Sequence, residues 1–144
     1  MTTGNPTRGI RNNNPGNIRL GQQWQGLSPQ QTDPEFCQFI DMAHGVRAIA
    51  VIIRNYQKPP PTWPGLKTVR QIISRWAPPA DHNDTDAYIS HVASLLGVQP
   101  DAPIDATDKT VMQVLVRAIV TQENGRDAGS SVTDADILNG VSMP

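Results

Sequence analysis

From Asp41 onward, apolar residues recur at intervals of three and four, and proline and glycine cut the pattern into helix-length blocks. That rhythm commits most of the chain to packed helices. Asp41 can cap a first helix whose apolar face carries Val46, Ile49, Ile52, Ile53 and Tyr56. The stretch Lys58–Gly65 must be non-helical, because its prolines remove backbone donors and fix φ. Thr68 can cap a second helix with Val69, Ile72, Ile73 and Trp76 inward, and Pro78 and Pro79 end it. A third starts at Asp84 or Thr85, runs through Tyr88, Ile89, Val92, Leu95 and Leu96, and stops at Gly97. A fourth begins between Asp105 and Asp108, carries Val111, Leu115, Ala118 and Ile119 on one face, and stops at Gly125. Thr133 and Asp136 form a capping pair for a short last helix through Ile137 and Leu138.

The first forty residues read differently. Asn12-Asn13-Asn14-Pro15-Gly16-Asn17 is a dense turn signal, since Asn and Gly tolerate positive φ and Pro presets a turn. Trp24–Gly26 and Phe36–Ile40 flank the polar stretch Ser28–Pro34, a pattern that predicts a short hairpin with a loose loop. The expected fold class is therefore α+β and predominantly helical, a small N-terminal β-hairpin set against four to five helices. A chain of 144 residues suits one domain, with residues 1–7 read as a flexible tail.

Charge and cysteine usage remove several classes of function. A net charge of −1 offers no basic footprint for nucleic acid, and Arg8, Arg11 and Arg19 read as a solvated surface. The longest apolar run, Ala48–Ile53, is far too short for stable membrane insertion. The N-terminus lacks the charged and apolar regions of a secretory signal, so synthesis in the cytoplasm is expected. Cys37 is the single cysteine, which excludes an internal disulfide.

Glutamate is scarce: Glu35 and Glu123 stand against eleven aspartates. Glu123 falls at the C-terminal end of an apolar helix, where the negative end of the dipole disfavours a charged carboxyl. A glycosidase general acid needs that property, because it must keep its proton until the leaving oxygen takes it. A solvated carboxylate in a last helical turn is the plain alternative.

A zinc hydrolase could be assembled on paper from His82, Asp84, Asp86 and His91, but the chain has no His-Glu-x-x-His and no close cysteine pair. A Cys37 and His44 peptidase is weaker, since Cys37 lies in an apolar segment where an inert thiol is the default. No cofactor and no metal are expected.

Arg8-Gly9-Ile10-Arg11-Asn12-Asn13-Asn14-Pro15-Gly16-Asn17-Ile18-Arg19 resembles the opening of a family of phage-encoded, lysozyme-like virion and lysis proteins, also met as secreted antibacterial effectors. Trp24-Gln25-Gly26, Asp33 through Phe36 to Phe39, Gly45–Ala48, Tyr56, Ile72–Pro79, Asn83–Tyr88 and Glu123-Asn124-Gly125 follow in the same order, so the resemblance spans nearly the whole chain. A second resemblance is to autolysin and flagellar-type glucosaminidases, whose catalytic Glu lies in a Glu-Ser-Gly motif ahead of the Asn-rich and Trp-x-Gly pieces. In this chain those pieces come first and Glu123 comes last. The resemblances imply a lysozyme-like fold in circularly permuted order, with Glu123 as the acid.

They also place a second carboxylate, nucleophile or base, on the hairpin. Asp33 fits the pattern of an Asp followed by Phe-x-x-Phe better than Glu35, which abuts Phe36. A separation of about 5 Å from the acid would mean a nucleophile, and about 6.5–9.5 Å would leave room for water. Asn14, Asn17, Trp24 and Tyr88 are the candidate sugar contacts, through amides, a hydroxyl and flat rings. Trp76 and Tyr56 continue apolar helix faces and read as packing.

The implied function is hydrolysis of peptidoglycan glycan strands at the β-1,4 MurNAc–GlcNAc linkage, by a monomer acting in the periplasm after delivery by a holin lesion, a virion or a secretion apparatus. Glucosaminidase and lytic transglycosylase outcomes remain open. The rival is a non-catalytic virion structural or cell-wall-binding protein.

Overall fold

The computed structural model describes residues 6–81 and 83–144. Residues 1–5 of the expected tail, and the candidate ligand His82, lie outside the described residues. Among those described, seven α-helices follow in order: α1 (Arg8–Arg11), α2 (Met42–Gln57), α3 (Val69–Trp76), α4 (Thr85–Leu96), α5 (Lys109–Asn124), α6 (Arg126–Gly129) and α7 (Asp134–Ser142). A 3-10 turn covers Pro79–Asp81.

The longer helices start where a capping side chain is available. Asp41 Oδ1 accepts from the His44 amide at 2.9 Å ahead of α2. Thr68 and Gln71 form a reciprocal capping box at α3, and Thr133 and Asp136 form another at α7. Asp84 caps α4, and Asp108 Oδ1 accepts from the amides of Thr110 and Val111 at the start of α5. Each cap satisfies an amide that the helix leaves orphaned, a contribution of about 1 kcal/mol. Gly97 ends α4 in the left-handed conformation.

The expected α+β class does not hold. Among the described residues there is no strand and no hairpin, only the isolated bridges Arg19↔Phe36, Leu27↔Phe39 and Thr68↔Pro103. The permuted lysozyme-like arrangement built on a hairpin falls with it, and the described residues form a helical fold with seven helices rather than four or five. The physical reason lies in segment 28–38, where side chains take the places that ladder partners would fill. Gln38 Oε1 accepts from the amides of Thr32 and Asp33, Gln31 Oε1 accepts from the Gln38 amide, and Asp33 Oδ1 accepts from the amides of Glu35 and Phe36. The Phe36–Ile40 segment also changes backbone partner within a few residues. Cys37 donates to Ile18, whereas Ile40 donates to Gly26. No ladder can extend.

The chain divides into two compact units, one comprising the described residues up to Ala50 with Ile119–Pro144, the other Val51–Ala118. In the first, Ile18, Cys37, Phe39, Val46, Ile49, Ile119, Val120, Val132, Ile137 and Val141 are buried. Here the Asn-rich segment lies directly on α2, because a Cβ on Gly45 would collide with the carbonyl of Asn13. Arg47 Nε donates to the Pro144 carbonyl at 2.8 Å, tying α2 to the C-terminus.

In the second unit α3 packs on α4 around Val69, Ile72, Ile73, Ile89, Val92 and Leu115. The Gln57 side chain bridges the chain turn before α5, donating to Ile104 and accepting from the Ala106 amide. Tyr56 and Trp76 are half-buried, and Arg75 lies over the Tyr56 ring.

Candidate functional site

Two features of the first unit gather polar side chains. The first is the closing turn of α5, where Gly125 adopts φ 85° and lets the chain leave the helix. Asn124 is 7% exposed and its amide is fully used: Oδ1 accepts from Thr7 Oγ1 at 2.8 Å, and Nδ2 donates to the carbonyls of Pro15 at 2.8 Å and Val120 at 2.9 Å. This clamp holds the backbone of Glu123 against the Asn-rich segment, 109 residues away from Asn124 along the chain at Pro15.

Asn17 faces Glu123 from that segment. It sits at φ 50°, a left-handed conformation that Asn tolerates better than other side chains carrying a Cβ. Its Nδ2 donates to Glu123 Oε1 at 3.4 Å, a long contact. Asn17 Oδ1 is buried without a hydrogen-bond partner among the described residues. Gly9 of α1 makes room for the group, since a Cβ there would lie 2.6 Å from Asn124 Oδ1 and 2.9 Å from both Asn14 O and Asn17 Oδ1. Glu123 itself is half-buried.

The second feature is organised by Asp33. Its carboxylate accepts from Arg8 Nη2 at 2.6 Å, Arg8 Nε at 2.7 Å, Asn12 Nδ2 at 2.9 Å and the amides of Glu35 and Phe36 at 2.9 and 3.0 Å. The Arg8 guanidinium, ahead of the other donors, holds this carboxyl far below the usual carboxylate range. A group so stabilised as an anion is a poor base and a poor nucleophile. Glu35 is exposed and bridges Arg8 and Arg19, whose guanidinium groups lie 4.5 and 5.0 Å from the Phe36 ring centre. Beside this network lies an open depression of about 420 Å³, lined by Arg8, Arg11, Asn12, Thr32, Asp33 and Gln38.

The residues singled out from sequence therefore separate. Glu123 and Asn17 meet. Asp33 lies in the Arg8 network, linked to the Glu123 turn through adjacent residues, since Thr7 binds Asn124 and Arg8 binds Asp33. Asn14 is fully buried, with Nδ2 donating to Ile18 and Cys37 and Oδ1 accepting from Ile18, so it is a turn device. Trp24 is half-buried, with its Nε1 enclosed and unpartnered among the described residues. Tyr88 is 2% exposed in the core of the second unit. Arg8, expected on a solvated surface, is instead half-buried and bound to Asp33, and the contacts of Thr7, Asn12 and Asn124 are tertiary ones that spacing does not reveal. Asn12 and Asn124 stood within quoted motifs, and a buried amide in a turn is a signal for such clamps. Among the described residues no three His, Cys, Asp or Glu side chains form a group able to hold a metal ion, and no helix is long and apolar enough to cross a membrane.

No family model matches the chain. It is 39% identical over 122 residues to Protein P5 of Pseudoalteromonas phage PM2, an alignment covering 82% of this chain and 71% of that protein.

Proposed function

The chain belongs to the family of this bacteriophage Protein P5, and from the geometry around Glu123 we propose that it cuts the glycan strands of peptidoglycan, with Glu123 as the proton donor. The observation that carries the reading is the clamped turn: a half-buried carboxyl at the end of a 16-residue helix, its backbone fixed by Asn124 and its side chain met by Asn17. Catalytic acids need that fixed placement, because orientation supplies a large part of the rate. Glu123 protonates the leaving glycosidic oxygen as the bond to the anomeric carbon breaks. Asp33 is assigned to positioning: its carboxylate anchors Arg8, and through α1 the Thr7 contact to Asn124. Trp24 and Asn17 are assigned to the sugar. The wall is met during entry with a virion or after release through a holin lesion.

The saturation of Asp33 favours a second reading, a virion or wall-binding module without turnover, since one of the two expected carboxylates is committed to structure. Loss of turbidity of purified peptidoglycan separates the two, and mass spectrometry of released fragments then distinguishes reducing from anhydro ends. Clearing supports the hydrolase, and binding without clearing supports the module.

A further inference from the structure

We propose that the depression beside Asp33 is an anion subsite that takes the carboxylate of a peptide-substituted amino sugar, with Arg11 as its charge. Arg8 and Arg11 stand three apart on α1, a spacing that puts both on one side of a helix, and both line the depression. They differ in what they already hold. Arg8 gives Nε and Nη2 to Asp33 and Nη1 to Glu35. Arg11 is exposed, and its guanidinium makes no hydrogen bond or ion pair among the described residues. The lining therefore carries one compensated cation and one uncompensated cation around a single carboxylate.

The floor is built rather than incidental. Asn12 is 4% exposed and donates to Asp33, and it accepts from Gln38 Nε2 at 3.3 Å. Gln38 Oε1 in turn accepts from the amides of Thr32 and Asp33, so these lining residues are tied to one another. A free fork of five donors beside hydrogen-bonded polar side chains suits a planar carboxylate bound in bidentate fashion. The depression is open and, at about 420 Å³, has room for a sugar-sized group with its peptide substituent.

The choice of a carboxylate on a sugar's peptide substituent rests on the proposed action on glycan strands, so the test reads the two apart. Calorimetric titration uses the full chain carrying Glu123→Gln, with three probes: a soluble disaccharide-peptide, the same compound with its carboxyls amidated, and inorganic phosphate. The expected result is that Arg11→Gln weakens binding of the acid form about tenfold, the loss of one charge-assisted contact, while Arg11→Lys retains part of it. Amidation should match the Arg11→Gln loss, and phosphate should bind weakly or not at all. Because Arg11 is exposed, the thermal midpoint should not move. Absence of binding, equal binding of acid and amidated forms, indifference to Arg11→Gln, or phosphate binding as tight as the disaccharide-peptide overturns the subsite. Clearing of peptidoglycan by the unsubstituted chain is scored separately and bears only on the hydrolase reading.

Discussion

Asn17 Nδ2 lies 3.4 Å from Glu123 Oε1 although 106 residues separate them along the chain. The contact joins a turn near the start of the sequence to the last turn of α5, and neither side makes it unaided. Asn17 depends on a left-handed backbone, and Glu123 depends on the neighbouring Asn124, which is spent on Thr7, Pro15 and Val120. A floppy surface carboxylate would need none of this support.

Replacing Asn124 by alanine should destabilise the protein by about 2–4 kcal/mol, because it strands the buried carbonyls of Pro15 and Val120 and the half-buried hydroxyl of Thr7. Urea unfolding of wild type and Asn124→Ala checks the value. Equal midpoints would mean that the clamp adds no stability.

Gly9 makes a different prediction. A methyl group there meets Asn124 Oδ1 and Asn17 Oδ1 inside ordinary contact distance, so Gly9→Ala should cost about 1–3 kcal/mol as an overpacking change. It should also lower activity beyond the loss of folded protein, since both amides near Glu123 must shift. Thermal midpoints and specific activity measured on the same samples check both parts.

The acid side of the stability curve tests Asp33. Its folded pKa is depressed, chiefly by Arg8, so its contribution is fully present above the unfolded value of about 3.9 and is lost as pH falls toward the folded value. Asp33→Asn lacks that contribution at every pH. The gap in urea midpoint between wild type and variant should therefore be widest near about pH 7 and should shrink below about pH 4. A gap independent of pH would count against the Arg8 clamp.

The helical part of this fold was legible because periodicity and caps are local: Thr68, Asp84, Gly97 and Thr133 each act within a few residues of where they stand. Segment 18–40 was not. Its apolar segments Trp24–Gly26 and Phe36–Ile40 flank a polar stretch as strands flank a loop, but Gln31, Asp33 and Gln38 satisfy the backbone through side chains, and an amide competing with a ladder leaves no periodic trace. The helices α1 and α6, four residues each, are too short to show a period. At the site, the prominence of Glu123 came from its rarity and its place at a helix end. The binding of Asp33 by Arg8, 25 residues earlier, is a tertiary fact that spacing does not encode.

Cys37 is fully buried, and burial pushes its thiol up. Native protein should resist a thiolate-directed reagent and react fully once unfolded. Labelling in native buffer at the rate of an exposed thiol would contradict the packing around Ile18 and Phe39.

Glu123→Gln keeps the shape of the side chain and removes the transferable proton. Turbidity loss of purified peptidoglycan should fall by about a hundredfold to ten-thousandfold relative to wild type, with the unfolding midpoint little changed. Clearing by Glu123→Gln at the wild-type rate would mean that Glu123 is not the proton donor.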